Sequence, residues 1–126
     1  MQLKQIKNGI IFNIFAIILD NGVCPVEEFL EQLKINDPSS LKSFVTIFNR
    51  HADHGPLRNE RKSKVLKDRE NLLEFKTDHG DRIMYFYLPG KMTVLTHGFH
   101  KGAPESQEYD RAESIRDRYC QEIKNG

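Results

Sequence analysis

The strongest constraint on this chain lies in its second half, where three β-like runs at residues 72–77, 82–88 and 91–99 are separated by Asp78-His79-Gly80-Asp81 and by Pro89-Gly90. Connectors this short and this rich in turn formers leave no room for a crossover, so the runs are expected to pair as an antiparallel meander. Alternation then places Leu73 and Phe75 on one face of the first run and Leu72, Glu74 and Lys76 on the other. A four-residue turn brings Arg82 roughly opposite Lys76. Two cations held side by side repel unless an anion joins them, which leaves two readings: Glu74, Asp78 and Asp81 neutralise them, or the pair forms a phosphate site.

Upstream, the spacing changes to a helical period. Pro25 stands at a first-turn position, Glu27 and Glu28 suit a helix N-terminus, and Val26, Phe29, Leu30 and Leu33 recur three and four apart. A second helix is expected from Asp37-Pro38, with Leu41, Phe44, Val45 and Phe48 on one stripe and Gly55-Pro56 as its stop. The tail from 104 to 123 returns to the same period through Tyr109, Ala112, Ile115, Tyr119 and Ile123. The order is strand, helix, helix, a short strand, three strands, helix. That order predicts one α+β domain over residues 1–126: an antiparallel meander covered by two N-terminal helices and a C-terminal helix.

The apolar run at 9–19 has two readings. With Lys4 and Lys7 before it, the run looks like the apolar part of a secretory signal, yet it has no small-x-small cleavage site and its Ile and Phe content suits a buried strand. It is too short to span a bilayer. Cys24 and Cys120 lie far apart with no Cys-x-x-Cys spacing, which fits a reduced, cytoplasmic protein better than a disulfide scaffold.

A length of 126 residues suits a single domain, and 19 basic against 18 acidic residues give a net charge of +1. Global charge therefore does not reveal a partner, and any anion site must come from local clustering. The clearest cluster is 57–69, where six of thirteen residues are basic and two acidic. Arg58, Arg61, Lys64 and Lys67 in this segment are candidates for binding an RNA backbone, the alternative being a solvated loop. The third β-like run ends in Thr96-His97-Gly98-Phe99-His100-Lys101, which puts two imidazoles and a lysine at one strand end. Imidazoles titrate near neutrality and can serve as general acid or base, although a strand histidine is more often a hydrogen-bonded core residue. His51 and His54, three apart at a helix end, lack a third strong ligand and suit capping better than metal binding. No Ser-His-Asp order, P-loop, dinucleotide fingerprint or zinc-protease motif appears, so neither cofactor nor metal is expected.

The whole pattern resembles the RelE/HigB-like toxins of type II toxin–antitoxin systems, in particular a phage-derived HigB-like branch. The resemblance rests on Pro25-Val26-Glu27-Glu28-Phe29-Leu30 with Leu33, His54-Gly55-Pro56-Leu57, Leu66 followed by Leu72-Leu73-Glu74-Phe75-Lys76, and Gly80 with Arg82-Ile83 and Tyr85-Phe86. It continues through Lys91, His97-Gly98-Phe99 and Lys101 to Glu108, Ala112, Arg116 and Tyr119. It implies a microbial-ribonuclease-like fold and a metal-independent endoribonuclease that cuts mRNA on the ribosome, inhibits translation and is silenced by a cognate helix-turn-helix antitoxin. By that resemblance Lys76 and Arg82 would stabilise transition-state charge, His97 would move a proton, and Lys101 would match the lysine after the last strand. His100 and Tyr119 are the other candidates for the proton-transfer role. A non-catalytic protein- or RNA-binding module that keeps the fold is the alternative.

Overall fold

The computed structural model describes residues 1–56 and 62–126. Arg58 and Arg61 fall outside the described residues. Nine elements follow in chain order: β1 (Gln2–Asn8), β2 (Asn13–Ile18), α1 (Pro25–Asn36), α2 (Pro38–His54), β3 (Ser63–Val65), β4 (Leu73–Lys76), β5 (Arg82–Leu88), β6 (Met92–Phe99) and α3 (Glu105–Asn125).

The helices start where their local chemistry dictates. Pro25 opens α1 with Glu27 and Glu28 in its first turn. Asp37 then serves both helices, donating its amide to the Leu33 carbonyl and accepting from the Ser40 amide through its carboxylate at 3.2 Å. Pro38 at the first position of α2 has no amide to leave orphaned.

The expected meander is present, since β4 pairs antiparallel with β5 and β5 with β6. The expectation of an all-antiparallel sheet is corrected. The sheet has six strands in the order β1-β2-β6-β5-β4-β3 and is mixed, because β2 runs parallel to β6. The apolar run at 9–19 contributes β2 after a turn, and β1 pairs with β2 as a hairpin outside it. An apolar strand such as β6 would otherwise carry a bare edge; β2 covers that edge and the more polar β1 takes the outer position.

Helices pack on both faces of this sheet. Val26, Phe29 and Leu33 of α1 and Phe44, Ile47 and Phe48 of α2 join Ile14, Ala16, Leu73, Phe75, Tyr85 and Leu95 in one core. On the opposite face Ile115 and Tyr119 of α3 meet Ile17, Phe86 and Val94, while Ala112 meets Leu66, Leu72, Met84 and Phe99. The close approach of α1 depends on Gly98, where an added Cβ would lie 2.3 Å from the Phe29 ring. Among the described residues no helix is long and apolar enough to cross a membrane.

One irregularity decides what faces α3. Ile83 pairs with Gly98 and Tyr85 with Leu95, so β6 carries one residue more than β5 between these points. Met84 therefore stands against both Thr96 and His97, a β-bulge that reverses the alternation of β6. His97 is turned to the α3 side together with Val94 and Phe99, whereas strict alternation would put it with Leu95.

Candidate active site

The β4–β5 register places Lys76 directly opposite Arg82, as the turn length predicts. Both project to the α3 face, along with Glu74. The surroundings differ from solvated hairpin charges: Glu74 is 3% exposed, with the Arg82 guanidinium 3.6 Å away and the Tyr109 hydroxyl donating to it at 3.0 Å. Arg82 also donates to the Tyr109 oxygen at 3.1 Å and pairs with Glu105 at 2.6 Å. The turn acids act elsewhere, with Asp78 on Lys62 and Asp81 on His100. The Lys76 ammonium is half-buried and has no hydrogen-bond or ion-pair partner among the described residues.

The first turn of α3 supplies the other wall. Glu105 holds Arg82, Glu108 meets His97 Nε2 at 3.2 Å, and Tyr109 bridges Glu74 and Arg82. Burial, reinforced by the Arg111 charge and only partly opposed by Glu108, lowers the His97 pKa to about 4, so its ring is neutral at pH 7. Burial and the Glu74 charge raise the Tyr109 hydroxyl to about 12, which keeps its proton in place. The result is a carboxylate, a guanidinium, a neutral imidazole and a protonated phenol on one sheet face, with a lysine beside them that has no partner among the described residues.

The remaining candidates separate into near and far. Lys64 and Lys67 are exposed on the wall of a groove of about 320 Å³ that also includes Glu105 and Tyr109, so they flank this cluster. Lys101 lies across the β4–β5 turn against Gly80, whose φ of +88° admits no ordinary side chain and whose missing Cβ leaves room for the lysine stem. It makes no bond to Arg82, Glu74 or His97. His100 is on the α1 side, against the Phe29 ring at 4.9 Å and paired with Asp81 at 2.8 Å. Tyr119 packs with Ile17, Phe86 and Val94 toward the other end of α3 and does not reach the cluster. His51 does not cap α2; it is buried, with Nε2 bonded to Thr93 at 2.8 Å and its ring stacked on Phe12.

Sequence reasoning named Glu74 only as a neutralising charge for the Lys76–Arg82 pair, and it missed Tyr109 as a member of the site. Alternation already places Glu74 on the face of Lys76, but its helical spacing marks Tyr109 as core, and nothing local links it to a strand thirty-five residues away.

Residues 31–119 match the family model described as Phage derived protein Gp49-like (DUF891). The chain belongs to this family. The Gp49-like family is a phage-derived family of RelE/HigB-like toxins, which fits the toxin of a toxin–antitoxin system. The Gp49-like segment includes Glu74, Arg82, His97 and Tyr109 and leaves out β1 and β2. No curated protein matches the chain.

Proposed function

We propose that this Gp49-like protein, a member of the HigB-like branch, is the toxin of a toxin–antitoxin pair and acts as a metal-independent endoribonuclease on mRNA at the ribosome. The observation that carries the reading is the placement on one sheet face of the linked Glu74, Arg82 and Tyr109, of His97 on the neighbouring Glu108, and of a Lys76 without a partner among the described residues. RNA carries its own nucleophile, so a protein that cuts it needs only to move protons and hold charge. The 2′-hydroxyl attacks the adjacent phosphorus, the bond to the 5′-oxygen breaks, and a 2′,3′-cyclic phosphate remains.

The neutral His97 ring accepts the 2′-hydroxyl proton, and the Tyr109 hydroxyl returns a proton to the departing 5′-oxygen. Arg82 and Lys76 balance the charge that grows on the non-bridging oxygens, while Glu74 acts as a positioning residue for Arg82 and Tyr109. Lys64, Lys67 and, from the sequence, Arg58 and Arg61 hold the backbone, with Lys101 at the rim. Glu105 occupies the anion position on Arg82, so the first turn of α3 must release the guanidinium before a phosphate can take it.

A second reading, a binding module that keeps the fold without cleavage, is favoured by that same saturation of Arg82 and by the 1% exposure of His97. Tightly induced expression in a bacterial host, with mRNA 5′ ends mapped for wild type and Lys76→Ala/Arg82→Ala, separates the two. Growth arrest with new cleavage sites, both lost in the double variant, is expected. Normal growth and intact messages from folded wild-type protein would leave the binding module. The neighbouring partner expected is a small helix-turn-helix antitoxin, and co-purification of the co-expressed pair tests it.

A further inference from the structure

Away from α3, on the outer side of α2, Lys42, Ser43, Thr46 and Arg50 line a groove of about 310 Å³ together with Ser39 and Lys62. Among the described residues no acidic side chain lines it and neither Lys42 nor Arg50 has an ion-pair partner, whereas Lys62 is paired with Asp78 at 2.9 Å. Elsewhere Arg69, Arg82, Arg116 and Arg118 are each engaged by carboxylates. In a chain whose overall charge nearly cancels, unneutralised cations grouped with hydroxyls are an anion-binding surface.

We propose that this groove holds the phosphate backbone of the RNA strand that flanks the cluster under α3. The proposal rests on the ribonuclease reading and extends its substrate contact to a second face. Lys42 and Arg50 are just over two turns apart, about 12 Å along the helix axis, which is long enough for more than one phosphate. Continuity supports the same occupant: Lys62 closes the groove, and its carbonyl accepts from the Lys76 amide at 2.9 Å across the β3–β4 edge. A strand that leaves the groove at Lys62 and passes round the outer β3 edge from the α2 face to the α3 face reaches Lys76, beside Arg82. An acidic protein helix fits less well, because protein partners anchor on apolar and aromatic side chains. Among the described residues the sole apolar one in the lining, Ile47, is 4% exposed.

The test is a fluorescence-anisotropy titration with 2′-O-methyl RNA, which lacks the attacking hydroxyl, over a range of salt concentrations. Wild type, Lys42→Gln/Arg50→Gln, the charge-keeping Lys42→Arg/Arg50→Lys and Arg82→Ala are compared. The charge-removing pair is expected to bind a long RNA several-fold more weakly, with a log–log salt slope shallower by about 1.4, the amount two single-strand phosphate contacts contribute. The charge-keeping pair should restore the slope, and an RNA too short to leave the α3 cluster should show no difference. Unchanged affinity and slope in the charge-removing pair, with binding still weakened by Arg82→Ala, would overturn the groove and spare the ribonuclease reading. Wild type without salt-dependent RNA binding would overturn both. Labelled polyglutamate that binds wild type and not the charge-removing pair, with RNA binding equal in the two, would reassign the groove to an acidic protein.

Discussion

The two faces of the sheet solve different problems with neighbouring residues of the same strands. Beneath α1 and α2 the contacts are almost wholly apolar and aromatic, with Phe75 stacked on Tyr85 at 3.9 Å and Phe44, Phe48 and Phe29 around them. Beneath α3 the same β4 and β5 present Glu74 and Arg82, and the helix answers with Glu105, Glu108 and Tyr109. Each face also buries one histidine, and both rings are held near pKa 4 with burial as the leading cause. Among the described residues His51 meets Thr93 and aromatic rings, whereas His97 meets a carboxylate and feels an arginine. The α1–α2 face draws its stability from apolar packing, whereas the α3 face combines its two apolar clusters with buried charge kept at some cost to stability.

The largest expected effect breaks the apolar face. Phe75→Ala should cost about 3–5 kcal/mol in denaturant unfolding, because a fully buried ring leaves a cavity and loses its stacking on Tyr85. A loss below about 1 kcal/mol would contradict the assignment of stability to that face. Arg82→Ala is next, at about 2–3 kcal/mol, since it leaves the Glu74 carboxylate buried with only the Tyr109 hydroxyl. That variant should also lose growth arrest, whereas a stabilised Phe75 variant should keep it per folded molecule.

Acid should act through both faces together. His51 and His97 take up protons near pH 6.5 when unfolded but only near 4 when folded, so the unfolded state binds more protons between those values. Stability is therefore expected to fall as pH drops from about 6.5 toward 4, by of order 1–3 kcal/mol for each ring. Unfolding midpoints that stay flat from pH 7 to 5 would exclude this, and His51→Gln should remove the contribution of the apolar face alone. Glu105→Gln should have the smallest effect on stability, within about 0.5 kcal/mol, because its carboxylate is half-exposed. It should strengthen RNA binding a few-fold by freeing Arg82. Weaker binding in that variant would show that Glu105 supports the site rather than obstructing it.

Much of the architecture was legible from the chain. Turn residues at Asp78–Asp81 and Pro89-Gly90 fix the meander register that sets Lys76 against Arg82, and the caps at Asp37 and Gly55 bound α2. The β1 strand was not legible, because Gln2–Asn8 is an outer strand whose lysines and glutamines mask its alternation. Parallel pairing of β2 with β6 joins segments some eighty residues apart, and no local signal carries such a partner choice.

The site was half legible for the same reason. Residue types and the alternation of β4 place Glu74, Lys76 and Arg82 on one face, since both are properties of a few adjacent residues. Whether those charges would be solvated or buried depended on α3, which brings Glu105 and Tyr109 over them. The bulge opposite Met84 then brings His97 to the same face. The amino-acid sequence by itself determined the elements, the caps, the hairpin register and the supply of chemistry, because these follow from neighbours in the chain. The tertiary structure alone decided which charges meet, because burial and electrostatic partnership are set by distance in space.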